Sequence, residues 1–204
     1  MPSANFCFVA PAKPLQRTSA VLVLIVSALH SLPQAGATET TAMVPLVSSV
    51  QRASDEAARL EIEIVNSRAG IICPVDATTS FFNDFGDGRS GGRSHEGTDI
   101  MSDAGVPLVA VVDGTISNKY GGLAGNSVYL LGDDGNEYWY FHVDEYVGEP
   151  RAVKVGEVIA TAGASGNAQG IHTHFEIHPS ADPYDVINPY DKLDLVCRDR
   201  VPVR

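Results

Sequence analysis

The stretch "EVIATAGASGNAQGIHTHFEI", residues 157–177, contains the signals that decide the fold. Two runs rich in Val, Ile and Thr, residues 157–163 and 171–177, stand on either side of a glycine-rich segment. Short β-rich runs bounded by glycine are typical of strands, and neither run has a helical period. The stretch therefore predicts two strands connected by a loop.

The same pattern of short β-rich runs continues towards the N-terminus as far as Cys73, without an internal repeat. Glycine-containing turns separate the β-rich runs, and such turns indicate hairpins. The predicted hairpins join 106–112 to 115–117 across Asp113-Gly114, where glycine supplies a positive φ, and 126–131 to 137–143 across residues 132–136. The pattern predicts an all-β fold class, with a mainly antiparallel sheet.

The two histidines of "IHTHFEI" are separated by one residue on a predicted strand. Alternation places His172, His174 and Glu176 on one face and apolar residues on the other. The two imidazoles are then about 6–7 Å apart, so one can bind a metal while the other lies beside it. The alternative is that both histidines are exposed on the surface. Surface exposure is what we expect for His178, which precedes Pro179.

The segment "GGRSHEGTDI" places His, Glu and Asp behind a run of glycines. An HExxH zinc site requires a helix. Glycines before and within this segment disfavour a helix, and the fifth position of the motif is Asp99 in place of histidine. A turn that enters a strand at residues 98–100 is the better interpretation. There His95 and Asp99 can converge on a metal, with His174 as the third ligand.

Composition limits the classes of protein to which such a site could belong. The chain has 204 residues, of which 44% are hydrophobic and 19% charged, as expected for a globular domain. Its formal net charge of −11 argues against a nucleic-acid partner, because binding to phosphates requires basic residues. Oligomeric state does not follow from the sequence.

The N-terminus has the order of a secretory signal peptide. Lys13 and Arg17 precede the apolar run 20–29, and small residues follow at 35–37. We predict a signal peptide over residues 1–37 and no stable membrane insertion after its removal. A membrane anchor is the alternative, but the run is shorter than the roughly 20 residues of a spanning helix.

Two cysteines, Cys73 and Cys197, remain beyond the predicted signal. In an exported protein an even pair predicts a disulfide rather than a metal or catalytic site. Two unpaired buried thiols are the alternative.

The remaining segments complete the predicted domain plan. Residues 38–70 are expected to be a leader or linker, with a short helix over 54–67 capped by Ser54. The sheet domain covers residues 71–197, and a tail covers 198–204.

These motifs together resemble the lysostaphin-type (LytM-type) zinc metallopeptidases. The resemblance rests on "HEGTD" (95–99), the distant "HTH" (172–174), a lone His142 between them and the glycine-rich run before the second motif. It covers about residues 71–197. It implies a duplicated hybrid motif, a barrel-sandwich-like domain, and a secreted, periplasmic or cell-wall-associated endopeptidase that cuts peptidoglycan stem peptides or cross-bridges.

The resemblance also implies a cofactor and a role for each histidine. A Zn²⁺ ion would be held by His95, Asp99 and His174, and His142 and His172 would be the catalytic imidazoles. Such a ligand set leaves zinc one open position for water. The two imidazoles can accept and donate protons near neutral pH, and the sequence does not apportion their roles.

Two other classes of protein fit parts of the pattern. A non-heme iron oxygenase also uses two histidines and a carboxylate, although its carboxylate usually follows the first histidine after one residue. A non-catalytic cell-wall-binding or hydrolase-activating module could share the fold. Loss of a ligand would mark that second class, but all five positions are filled.

Overall fold

A helix followed by a sheet makes up the described part of the chain. The computed structural model describes residues 40–198, with side-chain environments from residue 48 onward. The chain divides into two units, 1–53 and 54–204, and the first is described only as the beginning of the helix. The predicted signal peptide and most of the predicted tail lie outside the described residues.

Helix α1 covers Thr40–Ala69 and is longer than predicted. Ser54 lies inside it, so the predicted N-cap at Ser54 is wrong. No glycine or proline between Pro45 and Ser54 ends a helix there, and the helix stops where Gly70 takes a φ of 73°. Within residues 40–198, no helix is long and apolar enough to cross a membrane.

In the part of the chain that the structure describes, eight strands form one sheet, and every pairing in it is antiparallel. The predicted fold class, an all-β domain with a mainly antiparallel sheet, is therefore confirmed. The strands are β1 (Thr98–Met101), β2 (Pro107–Val109), β3 (Gly114–Gly121), β4 (Gly125–Gly132), β5 (Glu137–Tyr146), β6 (Ala152–Val153), β7 (Val158–Ala162) and β8 (His172–His178), followed by helix α2 (Tyr190–Cys197).

The sheet places its first strand next to its last. The strand order is β1-β8-β5-β4-β3-β6, and β7 pairs with both β5 and β2. Residues far apart in sequence therefore meet at β1 and β8, with Asp99 directly opposite His174.

One predicted hairpin is confirmed and the other is wrong. Strands β4 and β5 pair across residues 132–136 as expected. The Asp113-Gly114 hairpin does not form, because β2 pairs with β7 whereas β3 pairs with β4 and β6. Gly114 does not have the expected positive φ. Glycine is needed there for space, since a Cβ would lie 2.2 Å from the carbonyl oxygen of Leu131.

The core lies against the side of the sheet that carries alternate residues of β5 and β8. Tyr138 and Tyr140 of β5 are buried there, and Phe175 of β8 packs edge-on against the Tyr140 ring. The Tyr140 hydroxyl donates a hydrogen bond to the Val109 carbonyl, 3.0 Å away. The opposite side carries the histidines and Glu176 of β8, with Trp139 and Phe141 of β5 stacked on His178 and His174.

A disulfide joins Cys73 to Cys197, as predicted. Both cysteines are buried, and 124 residues separate them. Cys73 precedes all eight strands, and Cys197 ends α2. The bond therefore encloses the whole sheet in one covalent loop.

Replacing both cysteines by serine is expected to lower the free energy of unfolding by roughly 2–5 kcal/mol, because the unfolded chain regains the entropy of a long open loop. Urea unfolding of the two proteins, followed by far-UV circular dichroism, measures this difference. Equal unfolding midpoints and slopes would contradict the expectation. Thiol titration of the unreduced, unfolded protein provides the control and should find neither Cys73 nor Cys197 free, so that the only thiol to react is Cys7 where the N-terminal segment is retained.

Candidate metal centre

The three predicted ligands lie together at the junction of β1 and β8. Asp99 is on β1, His174 is opposite it on β8, and His95 lies in the turn before β1. His95 Nε2 is 2.8 Å from His174 Nδ1 and 3.0 Å from Asp99 Oδ1. Asp99 Oδ1 is 2.9 Å from His174 Nδ1. Three potential ligand atoms thus surround one point.

The cluster has the chemistry that zinc requires. Two imidazole nitrogens and one carboxylate oxygen form a donor set of the kind found in catalytic zinc sites, which keep a further position open. Within residues 40–198, this is the only group of three His, Cys, Asp or Glu side chains found whose ligand atoms all lie within 4.8 Å of one another.

His95 is oriented by the loop that precedes it. Its Nδ1–H donates to the carbonyl oxygen of Asp84, 2.9 Å away, so the Nε2 lone pair faces Asp99 and His174. The ring is buried. The backbone contact therefore sets which nitrogen is available to a metal.

Asp99 is held by a cation on its other side. Arg89 donates to Asp99 Oδ2 at 2.8 Å and to Asp84 Oδ2 at 3.3 Å, which leaves Asp99 Oδ1 facing the histidines. Burial by itself raises the pKa of Asp99, but the contacts of its carboxylate with His174 and His95 outweigh burial and hold the pKa far below its usual range. The carboxylate is ionised at neutral pH.

His174 lies between two carboxylates. Its Nδ1 faces Asp99, and its Nε2–H donates to Glu176 Oε1 at 2.7 Å. Burial by itself lowers the pKa of His174, but the hydrogen bonds to Asp99 and Glu176 raise the pKa to about 9. At neutral pH the ring of the protein alone is protonated, and a metal at Nδ1 must displace that proton.

The two predicted catalytic histidines lie beside this cluster. The ring centroids of His142 and His172 are 4.7 Å apart, and His172 Nε2 is 3.7 Å from Asp99 Oδ1. Each Nδ1–H donates to a backbone carbonyl, His142 to Ser165 at 2.8 Å and His172 to Gly170 at 2.9 Å. Both rings therefore keep an Nε2 lone pair that can accept a proton.

His142 reaches this side of the sheet through a bulge in β5. Ser127 of β4 stands opposite two residues of β5, Phe141 and His142, and His142 adopts a φ of 64°. Without the extra residue, His142 would follow Tyr140 into the core. Burial lowers the pKa of His142 to about 4, and the neighbouring imidazoles of His172 and His174 also lower it. The ring is therefore neutral at pH 7.

His178 is not the surface residue that the sequence suggested. It is 1% exposed, and its Nε2 lies 2.7 Å from Glu176 Oε2. Its ring stacks on Trp139, with centroids 3.8 Å apart. The alternation of β8 places His178 on the same face as His174, and Trp139 of β5 covers its ring there.

Sequence reasoning did not assign a role to the groups that orient the predicted ligands. Glu176 was placed on the correct face by the alternation of β8, but its two histidine partners depend on side-chain conformation. Asp84 and Arg89 lie in an irregular loop, where spacing carries no comparable signal. Only the folded loop brings them to His95 and Asp99.

Comparison with known proteins identifies this segment. Residues 93–186 match the family model described as Peptidase family M23. Over these residues, just under half of the chain, the sequence is similar to M23 peptidases. The predicted lysostaphin-type family is therefore confirmed, and with it zinc as the cofactor, because M23 metallopeptidases are zinc-dependent and the His95, Asp99 and His174 cluster is present.

Curated relatives are similar over the same M23 segment. The chain is 35% identical to glycyl-glycine endopeptidase ALE-1 of Staphylococcus capitis over 93 residues, 42% of this chain and 25% of that protein. It is also 35% identical to lysostaphin of Staphylococcus simulans over 93 residues, 42% of this chain and 18% of that protein. The chain thus spans a quarter or less of these relatives.

A solved structure shares the M23 fold. The structure of LytU aligns with a TM-score of 0.50 and 26% identity, over 57% of this chain and 85% of that chain.

Zinc binding is expected to release about one proton per chain at pH 6, because the raised pKa of His174 keeps its ring protonated until zinc binds at Nδ1. Apparent zinc affinity should accordingly rise as the pH increases towards 9. Calorimetric titration in two buffers with different ionisation enthalpies measures the protons released. A binding enthalpy that is independent of the buffer would contradict the expectation.

Proposed function

We propose that this protein is an exported, zinc-dependent endopeptidase that hydrolyses peptide bonds in peptidoglycan, in its stem peptides or cross-bridges. The observation that carries the proposal is the convergence of His95 Nε2, Asp99 Oδ1 and His174 Nδ1, with two further imidazoles on the same side of the sheet. The M23 match supports peptide hydrolysis, and the relatives named as glycyl-glycine endopeptidase ALE-1 and peptidoglycan DD-endopeptidase ShyC support the substrate class.

In this proposal His95, Asp99 and His174 would hold the ion. Zinc supplies a Lewis acid that polarises a carbonyl group and lowers the pKa of water. Arg89, Asp84 and the other outer partners keep the three ligand atoms directed at one point, so the site needs little rearrangement.

His142 and His172 move protons in the proposed reaction. One imidazole would accept a proton from the attacking water at Nε2. An imidazolium, either the one so formed or the other ring already protonated at Nε2, would donate a proton to the leaving amine. Both rings are suited to this because their Nδ1–H groups are engaged by backbone carbonyls, which leaves Nε2 towards the cluster. The lowered pKa of His142 keeps that ring in the proton-accepting form at neutral pH.

Two features support export of the chain. The N-terminal sequence has the order of a signal peptide, and the Cys73–Cys197 bond suits an oxidising compartment. We therefore infer a periplasmic, secreted or cell-wall-associated location.

Digestion of purified peptidoglycan tests the proposal directly. The protein should generate new amino and carboxyl termini in muropeptides, identified by mass spectrometry. Chelation should abolish cleavage and added zinc should restore it, because an independent core keeps the sheet folded when a catalytic ion leaves. Undiminished cleavage after verified metal removal contradicts the mechanism. Binding to peptidoglycan without cleavage favours a non-catalytic wall-binding module.

Alanine variants of three histidines should separate ligands from proton carriers. His174→Ala is expected to lose both zinc and activity, since two ligands remain. His172→Ala and His142→Ala should keep nearly one zinc per chain and lose about 10²-fold or more in rate, the usual scale for a general acid or base. Zinc per chain and cleavage rate are measured together on folded variants. If His172→Ala loses zinc while His174→Ala keeps it, the assignment is reversed.

A further inference from the structure

Strand β8 carries a continuous row of polar side chains on the side of the sheet that holds the cluster. His172, His174, Glu176 and His178 alternate along it, and all four are buried. The first two have roles in the proposed function. Glu176 and His178 have none, although burying a carboxylate is costly unless it is hydrogen-bonded.

Both carboxylate oxygens of Glu176 are used by imidazoles. Oε1 accepts from His174 Nε2–H and Oε2 accepts from His178 Nε2–H, each at 2.7 Å. Glu176 is 3% exposed, so water does not compete effectively for either oxygen. Glu176 therefore has a defined orientation with respect to His174.

His178 is held in turn by its surroundings. Its ring stacks on Trp139 with an angle of 26° between the planes, and its Nδ1 lies 3.3 Å from the Asp182 carbonyl oxygen. The Trp139 indole N–H donates to Glu137 at 2.7 Å, which fixes the stacking partner. A series of contacts therefore runs from the sheet surface to His174.

We propose that Glu176 is a positioning residue that keeps the proton of His174 on Nε2 and so reserves the Nδ1 lone pair for the metal, and that His178 holds Glu176 in place. This inference rests on the zinc site of the proposed function. Neutral imidazole has two tautomers, and only the one with its proton on Nε2 directs a lone pair from Nδ1 to the point shared with His95 and Asp99. Glu176 stabilises that tautomer because an ionised carboxylate can only accept a hydrogen bond, and the atom facing it must therefore carry the proton.

The geometry separates this role from that of an ordinary buried ion pair. The hydrogen bond from His174 to Glu176 leaves from the ring nitrogen that does not face Asp99. Removing the acceptor would leave Nε2–H unpaired in a buried site and allow the other tautomer to compete. Partners of this kind typically change metal affinity by about 10–100-fold.

Zinc affinity of full-length variants tests the inference without relying on activity. Glu176→Leu removes both acceptors at similar volume and should weaken zinc binding by about 10–100-fold, measured by competition with a chromophoric chelator. Glu176→Gln keeps an oxygen that can accept from His174, so this variant should retain most of the wild-type zinc affinity. His178→Leu should give a smaller loss, since Oε1 remains in place.

Thr173→Val is the matched control. Thr173 is buried on the same strand but on the opposite face, and its hydroxyl has no hydrogen-bond partner in the described structure. This variant should bind zinc like the wild type. If Glu176→Leu also binds zinc within about threefold of the wild type, the inference is wrong. If the wild type binds no zinc, the proposed function fails instead.

Nitrogen-15 NMR of the wild-type protein keeps the test available if Glu176→Leu does not fold. With zinc bound, the His174 ring should carry its proton on Nε2 and show the metal-induced shift at Nδ1. A proton on Nδ1, with zinc on Nε2, would overturn the inference.

Discussion

Antiparallel pairing of β1 with β8 is the constraint on which the rest of the site depends. The register places Asp99 opposite His174, and a shift by one residue would turn Asp99 towards the core. The approach to β1 is equally tight. A Cβ on Gly97 would lie 2.5 Å from the Phe175 carbonyl oxygen and 2.8 Å from His174 Nε2. Glycine at this position therefore lets the turn that carries His95 pass close to β8.

The site has a second requirement, which is that β5 contributes side chains to both sides of the sheet. Its bulge gives the core position to Val143 and turns His142 towards His172. A non-glycine residue with positive φ costs roughly 1–3 kcal/mol. Hydrogen bonds from the His142 backbone N–H to Ala124 and from its ring to Ser165 help to offset that cost. The strained residue is thus held by the loops on either side.

The sequence allowed the fold class and the grouping of the site residues to be predicted because both depend on short-range patterns. Alternation in "IHTHFEI" separates two faces of a strand, and glycines in "GGRSHEGTDI" oppose a helix. The failed predictions involve competition between distant partners. Asp113-Gly114 looks like a hairpin locally, but β2 pairs better with β7, and Asp113 instead accepts hydrogen bonds from Lys154 and Val155. His178 was misjudged because its burial depends on Trp139, a residue of another strand.

The covalent loop closed by Cys73 and Cys197 also bears on how the domain tolerates proteolysis. Exposed glycine-rich turns, such as residues 120–123 between β3 and β4, are natural places for a protease to cut. A single cut anywhere between the two cysteines leaves both fragments attached through the disulfide. Strands β1 and β8, on opposite sides of such a nick, therefore stay at high effective concentration, and the nicked domain can keep its metal cluster assembled.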